Sequence, residues 1–177
     1  GEFGGNDGQL LKNGDSIDFK SVNLSEAIFQ NRQIPSHLLP QYNNNIVRVV
    51  KSVEWDWLKS PDEWLKHPYQ ISPESNRMGI RLNGQKIQSI NEQEMRSSGT
   101  NIGTIQLLSS GQLIVLMQDG QSTGGYPRIA NIIRADLGRL AQFPSNSTIR
   151  FRLVTIAEAQ RIFEYKMAIF RQATSHF

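Results

Sequence analysis

The 177-residue sequence contains no cysteine. That excludes disulfides, thiolate metal sites and a cysteine nucleophile. Histidine is nearly as scarce: His37, His67 and His176 show no metal-ligand spacing, so no metal is expected. No apolar run approaches the roughly 20 residues that cross a bilayer. The longest runs from Leu113 to Met117. The basic start, apolar middle and small-residue cleavage site of a secretory signal are missing too. A cytosolic protein without membrane contact is the simplest expectation. There is no internal repeat and no low-complexity tract. Gly-x-Ser-x-Gly is absent, no Ser/His/Asp arrangement is readable from residue order, and Gly124-Gly125 lacks the Gly-Lys-Ser/Thr of a Walker A loop. No basic cluster is interleaved with aromatics, so nucleic acid is not an expected partner.

What is present describes a folded chain. Hydrophobic residues make up 38% and charged residues 20%, which is not the composition of a disordered protein. A chain of this size buries roughly two thirds of its unfolded surface and suits one domain, or one domain with a short extra segment. The net charge of +3 is uneven: residues 1–120 carry 11 basic and 13 acidic side chains, residues 121–177 carry 8 and 3. The basic part is rich in arginine, scattered over separate elements. It reads as a solvated basic face or as a surface for an anionic ligand or acidic partner.

The first 45 residues are rich in Gly and Asn and read as irregular, with a turn at Asn13-Gly14-Asp15 and a short helix over 24–30. Ile46 to Val50 is a β-branched strand. Ser60, Pro61 and Glu63 form a helix start with a capping box, and Pro68 ends that helix by His67. Met78 to Leu82 reads as a strand that turns at Asn83-Gly84, a type I′ signal, and returns over 85–90. Over 103–107, Ile105 and Leu107 alternate inward with Thr104 and Gln106 outward. Ser109-Ser110-Gly111 turns the chain into the apolar strand 113–117. A strand over 129–133, a helix from Asp136 to Phe143 and a strand over 148–154 follow. In the last strand Arg150 and Arg152 point out. Thr155 and Glu158 form a second capping box and open a C-terminal helix. Its stripe Ile156, Ala159, Phe163, Met167 and Phe170 suits core packing or a partner's groove. Tight turns rather than βαβ crossovers predict a mainly β fold: an antiparallel barrel or sandwich with peripheral helices.

Two loops carry the polar chemistry. In 72–79, Ser75, Asn76 and Arg77 offer a hydroxyl, an amide and a guanidinium able to grip a carboxylate or phosphate. In 118–127, Gln121 and Thr123 offer donors and acceptors. Gly124 and Gly125 let a backbone approach a ligand, and Tyr126 offers a ring for stacking and a hydroxyl. The plain alternative for the second stretch is a hairpin loop whose glycines satisfy turn geometry. The pairs Asp62-Glu63 and Glu92/Glu94 read as helix-start or surface residues.

Several blocks, in order, resemble one known family. They are Phe3-Gly4-Gly5, Gly8, Leu11 and Gly14-Asp15; Trp57 with Tyr69; Ser75-Asn76-Arg77-Met78-Gly79 with Arg81-Leu82; Gly103-Thr104-Ile105-Gln106 and Gly111; Gln121-Ser122-Thr123-Gly124-Gly125-Tyr126-Pro127; and Ile133, Asp136, Arg139-Leu140-Ala141-Gln142 and Arg150-Phe151. The chain resembles, from Phe3 to about Ala159, the C-terminal half or more of the allophanate hydrolase subunit 2 family. That family is also called carboxyltransferase subdomains A and B, and it includes the 5-oxoprolinase C-subunits (KipA-like proteins). Three departures stand out. Asn76 replaces an aspartate, Gly120 stands where an arginine usually precedes the signature glutamine, and Asn83-Gly84-Gln85 replaces a glycine-proline.

The resemblance implies a cyclophilin-like β-barrel. Residues 1–45 would be an irregular segment between subdomains, and 46–177 a barrel of subdomain B type with its C-terminal helix. It implies partners: the missing N-terminal half of the same polypeptide, an allophanate hydrolase subunit 1-like protein (the 5-oxoprolinase B-subunit) and a lactam hydrolase subunit. The assembled complex would open 5-oxoproline with ATP, while this chain alone binds no cofactor. Ser75, Asn76, Arg77, Gln121, Thr123, Gly124, Gly125 and Tyr126 would face a small carboxylate or amide substrate, with no catalytic nucleophile assigned. Relatives in urea carboxylase imply an alternative in which the same loops serve biotin-dependent carboxyl transfer. A third reading is a regulatory module without chemistry, antagonising a kinase inhibitor.

Overall fold

The structure is a computed structural model that describes residues 11–18, 36, 42–91 and 95–174, with side chains to 172. The chain divides into two compact units, 1–33 and 34–177. In the first, the described residues hold the expected turn: Asp15 N donates to Lys12 O at 3.1 Å, Lys12 N donates to Asp15 Oδ2 at 2.7 Å, and Gly14 supplies a φ of 99°. The helix expected over 24–30 lies outside the described residues.

The second unit is a seven-stranded closed barrel. Its elements are β1 (Ile46–Lys51), α1 (Glu63–Lys66), β2 (Tyr69–Ile71), β3 (Gly79–Gly84), β4 (Ser98–Gly99), β5 (Thr104–Leu107), β6 (Leu113–Leu116), β7 (Thr123–Gly124), β8 (Arg128–Ile132), α2 (Arg134–Leu140), β9 (Thr148–Leu153) and α3 (Ile156–Thr174). Around the barrel the order is β1-β8-β5-β6-β3-β2-β9, with β9 closing onto β1. Every neighbouring pair is antiparallel except β1 and β9, so the barrel expected to be antiparallel is mixed at its seam. β4 and β7 form a separate two-stranded ribbon.

Alternation fills the interior. Val47, Val49, Leu82, Ile105, Leu113, Val115 and Ile149 are almost fully buried. One end is plugged by aromatics: Trp64 of α1 meets Trp55 edge-on at 5.8 Å and Phe151 at 5.0 Å, and Tyr69 meets Phe151 at 5.7 Å. Closure leaves β1, β9 and the rest with no open edge. The β5–β6 hairpin turns where Gly111 takes a φ of 82°.

A clamp fixes the start of β1. Asp136, in the first turn of α2, accepts from the backbone N of Arg48 at 2.8 Å and from its Nε at 2.9 Å. Arg139, one turn on, donates to the carbonyls of Asn44 and Ile46 and lies 3.3 Å from Asp136. Burial pushes the Asp136 carboxyl up, but hydrogen bonds and charge from Arg48 outweigh it and hold the group below its ordinary value.

Three local expectations fail. Asn83 and Gly84 do not turn: they stay in β3, opposite Gln70 and Tyr69, and 85–90 is not a ladder strand. Pairing with β2 extends both residues, and the following chain runs instead along 57–59, with Lys59 N bonded to Gln88 O and Ile90 N to Trp57 O. The capping box at Ser60 is not formed; α1 starts at Glu63 with no side-chain cap. The one at Thr155 is: Glu158 N donates to Thr155 Oγ1 at 3.2 Å, and Thr155 N donates to Glu158 Oε2 at 2.7 Å. The stripe on α3, however, is not core. No α3 side chain among 156–172 is buried, because the β1–β9 seam already seals the barrel. The helix lies on α2, with Arg134 over the Phe163 ring at 4.9 Å and Lys166 bonded to Ala135 O. No helix among the described residues is long and apolar enough to cross a membrane.

Candidate functional site

The first polar stretch meets only the start of the second, 117–120, at one rim; the remainder of the second, with Thr123 to Tyr126, leads away from Arg77. β3 begins and β6 ends at the same mouth, opposite each other at Gly79 and Leu116. Their ladder continues past the rim: Met117 N donates to Met78 O at 3.0 Å and Asp119 N to Arg77 O at 3.1 Å. The side chains of Ser75 and Asn76 are occupied in building this turn. Ser75 Oγ accepts from Arg81 N at 3.0 Å, and Asn76 Oδ1 accepts from Met78 N at 2.8 Å. What the turn presents is Arg77, 91% exposed, with its guanidinium 3.2 Å from Asp119. An exposed ion pair of this kind contributes at most about 1 kcal/mol, so the guanidinium can be drawn to another anion.

Beyond Asp119 the second stretch is not a hairpin loop. β6 and β8 both run antiparallel to β5, which lies between them, so they are parallel to each other. Residues 117–127 therefore cross over the outer surface of β5 from one end to the other. Gly120 sits where the crossover leaves the rim. A Cβ there would meet Met78 O at 2.8 Å and Met117 O at 2.9 Å. That contact is the physical reason an arginine does not fit at this position.

The crossover is held on its far side by 95–100. Thr100 Oγ1 donates to Gln121 O at 2.5 Å and Thr100 N to Ser122 O at 2.9 Å. Thr123 and Gly124 pair with Gly99 and Ser98, and Gly125 packs against the carbonyl of Met95. Leu107 N donates to Pro127 O, returning the chain to the barrel. Gln121 and Thr123 are exposed, and Tyr126 is 41% exposed.

Sequence reasoning placed Thr104 and Gln106 on the outside of β5, and they are outside the barrel. They are nonetheless buried, because the crossover roofs them. Thr104 Oγ1 donates to Asn131 Oδ1 at 2.9 Å. Gln106 is 1% exposed and its amide nitrogen has no partner. Leaving such a donor buried and unpaired costs about 1–3 kcal/mol. A Cβ on Gly124 would lie 2.6 Å from Gln106 Nε2 and 2.9 Å from Gln121 Nε2. A side chain at 124 would thus have to displace one or both amides. The signal for Gln106 was available: a glutamine at an outward position of a strand facing a glycine-rich stretch. What hid it was reading that stretch as local to its own ends.

The cation nearest this roof by sequence is fixed elsewhere. Arg128 donates to both oxygens of Glu54, at 2.9 and 2.7 Å, and to Gly99 O at 2.8 Å. Burial raises the Glu54 pKa and its bonds to Arg128 lower it, leaving a net downward shift. Among the described residues there is no group of three or more His, Asp or Glu side chains that could hold a metal ion.

Comparison with known proteins agrees with this architecture. Residues 1–153 match the family described as "Carboxyltransferase domain, subdomain A and B". The chain is 37% identical over 172 residues to the C-subunit of the 5-oxoprolinase of Escherichia coli, covering 96% of this chain and 54% of that protein. It is 34% identical over 163 residues to the corresponding 5-oxoprolinase C-subunit of Haemophilus influenzae, covering 91% and 50%. The chain thus spans about half the length of these relatives. In structure it is similar to the urea amidolyase of Kluyveromyces lactis, with a TM-score of 0.75 over 82% of this chain and 10% of that one, at 20% identity. That last likeness is one of fold.

Proposed function

The chain belongs to the carboxyltransferase subdomain A and B family, and from that premise we propose that it supplies one barrel of a subunit in an ATP-dependent 5-oxoprolinase-like complex. Its part is to orient a small carboxylate or amide substrate at a subunit interface. Arg77 would draw the carboxylate. Gln121 and Thr123 would donate to its oxygens or to the amide, Gly124 and Gly125 would permit close approach, and Tyr126, where the crossover returns to the barrel, would flank the ligand on the side away from Arg77. The chemistry is positioning and charge stabilisation rather than a nucleophilic triad. The observation that carries the reading is the crossover, which brings Gln121, Thr123, Gly124, Gly125 and Tyr126 past a buried amide with no partner. The 34–37% identity to the 5-oxoprolinase relatives supports this substrate over urea, since the urea amidolyase relatives reach 22–26%.

The rest of the same polypeptide, an allophanate hydrolase subunit 1-like protein and a lactam hydrolase subunit are the partners this reading requires. The test is to co-express the full-length polypeptide with them and assay 5-oxoproline with ATP against urea with biotin. Consumption of 5-oxoproline by the complex, and none by the 177-residue chain alone, is the expected result. Turnover by the isolated chain, or biotin-dependent consumption of urea, would overturn it.

A further inference from the structure

We infer that Gln106 is a ligand-positioning residue: its amide N–H, with that of Gln121, receives the carbonyl oxygen of a neutral planar amide once the Thr123–Gly124 rung yields. The inference deepens the function proposed above and rests on it only for the identity of the natural substrate.

The placement of Gln106 has no packing explanation. It sits at the outer face of β5, where the β5–β8 register slips: Ile105 faces Ala130, but Gln106 faces Arg128. Such bulges re-aim side chains and recur beside functional sites. A leucine in the same roofed space would leave no unpaired donor, so the amide calls for an acceptor the free chain lacks. Gly124 lies between that amide and the amide of Gln121. The cross-strand neighbour of Gly124 is Ser98, whose hydroxyl is also buried without a partner. Three neutral hydrogen-bonding groups therefore surround one glycine. The rung above them is two residues long on each strand, and so short a ribbon is marginally stable on its own.

The chemistry of the ligand follows from the missing charge. Arg128 is committed to Glu54 and Gly99, and Arg96, beside the ribbon, is exposed. A carboxylate or phosphate carried beneath the rung would lose water and find the neighbouring Arg128 guanidinium already paired with Glu54. A lactam or ureido carbonyl loses less and is matched by amide donors.

The test uses the ¹⁵N-labelled 177-residue chain and the side-chain NH₂ signals of Gln106 and Gln121. It is titrated with 2-pyrrolidinone, with imidazolidin-2-one and with acetate. A saturable shift of both signals with the neutral probes, and none with acetate, is expected; the tighter probe decides between lactam and ureido ligands. Gln106→Leu should keep or raise the Tm and weaken the response at Gln121 and Gly124 about tenfold or more. Should that variant not fold, Gln106→Glu, an acceptor without the donor, carries the same expectation for the response at Gln121 and Gly124, at a lower Tm. No saturable shift with either neutral probe, an equal response to acetate, or a wild-type response in the variant would overturn the inference. In the assembled complex Gln106→Leu should raise KM more than it lowers kcat. An active complex with unchanged KM removes this inference alone. A complex that ignores 5-oxoproline, while the chain still binds the lactam, removes the proposed function alone.

Discussion

Asp136→Ala is expected to lower the stability of the barrel by about 3–5 kcal/mol, the range for removing one partner of a buried ion pair. In a chain of this length that corresponds to a fall in Tm of roughly 6–20 °C. The carboxylate, with its side chain 2% exposed, accepts from the backbone and side chain of Arg48. Without it, the Arg48 guanidinium stays mostly buried and unpaired, and its backbone N–H at the seam loses its acceptor. The same residue sets a pH dependence. Its folded pKa lies below the ordinary aspartate value, so its contribution is complete above the unfolded pKa and is lost as pH falls through the folded one. Glu54, also shifted downward, adds to the same trend. Thermal unfolding followed over a series from neutral to strongly acidic pH should show wild-type stability falling below about pH 4. The Asp136→Ala chain should start lower and fall less over that window. A variant with the wild-type Tm would show that the clamp contributes nothing.

Gln121→Ala should lower kcat/KM of the assembled complex by about 10²-fold, the scale for one preorganised donor acting on developing charge. The loop should survive the change, because Thr100 holds the backbone carbonyl of Gln121, which alanine retains. Tyr126→Ala should lower activity as well while leaving the fold intact, the residue being 41% exposed. Circular dichroism and Tm of each variant, measured with the kinetics, separate the two effects. Unchanged rates would return the crossover to a purely structural role.

Much of the barrel was legible in residue order. Alternation in 148–153, with Arg150 and Arg152 outward, depends only on a strand having one wet face. The Thr155 and Glu158 box is a local contact and needs no tertiary context. The failures are all cases where a distant segment decides. Asn83-Gly84 has the chemistry of a turn, but β2 pairs with it and keeps it extended. The α3 stripe has core periodicity, yet whether a core position exists for it depends on how the barrel closes. The candidate site shows the same division. Arg77, Gln121 and Tyr126 were legible as candidates because they stand in polar, glycine-bearing stretches. Ser75 and Asn76 belong to the same stretch as Arg77, but their side chains hold its turn. Gln106 was missed although its outward place on the strand was legible, because the roof over it comes from a segment more than ten residues away.

The most direct test is the structure of the complete complex with its substrate bound. The substrate should lie at the crossover, with an oxygen about 3 Å from the Gln121 amide. Substrate bound at the far mouth instead, beside the turn at Gly111, would contradict the account.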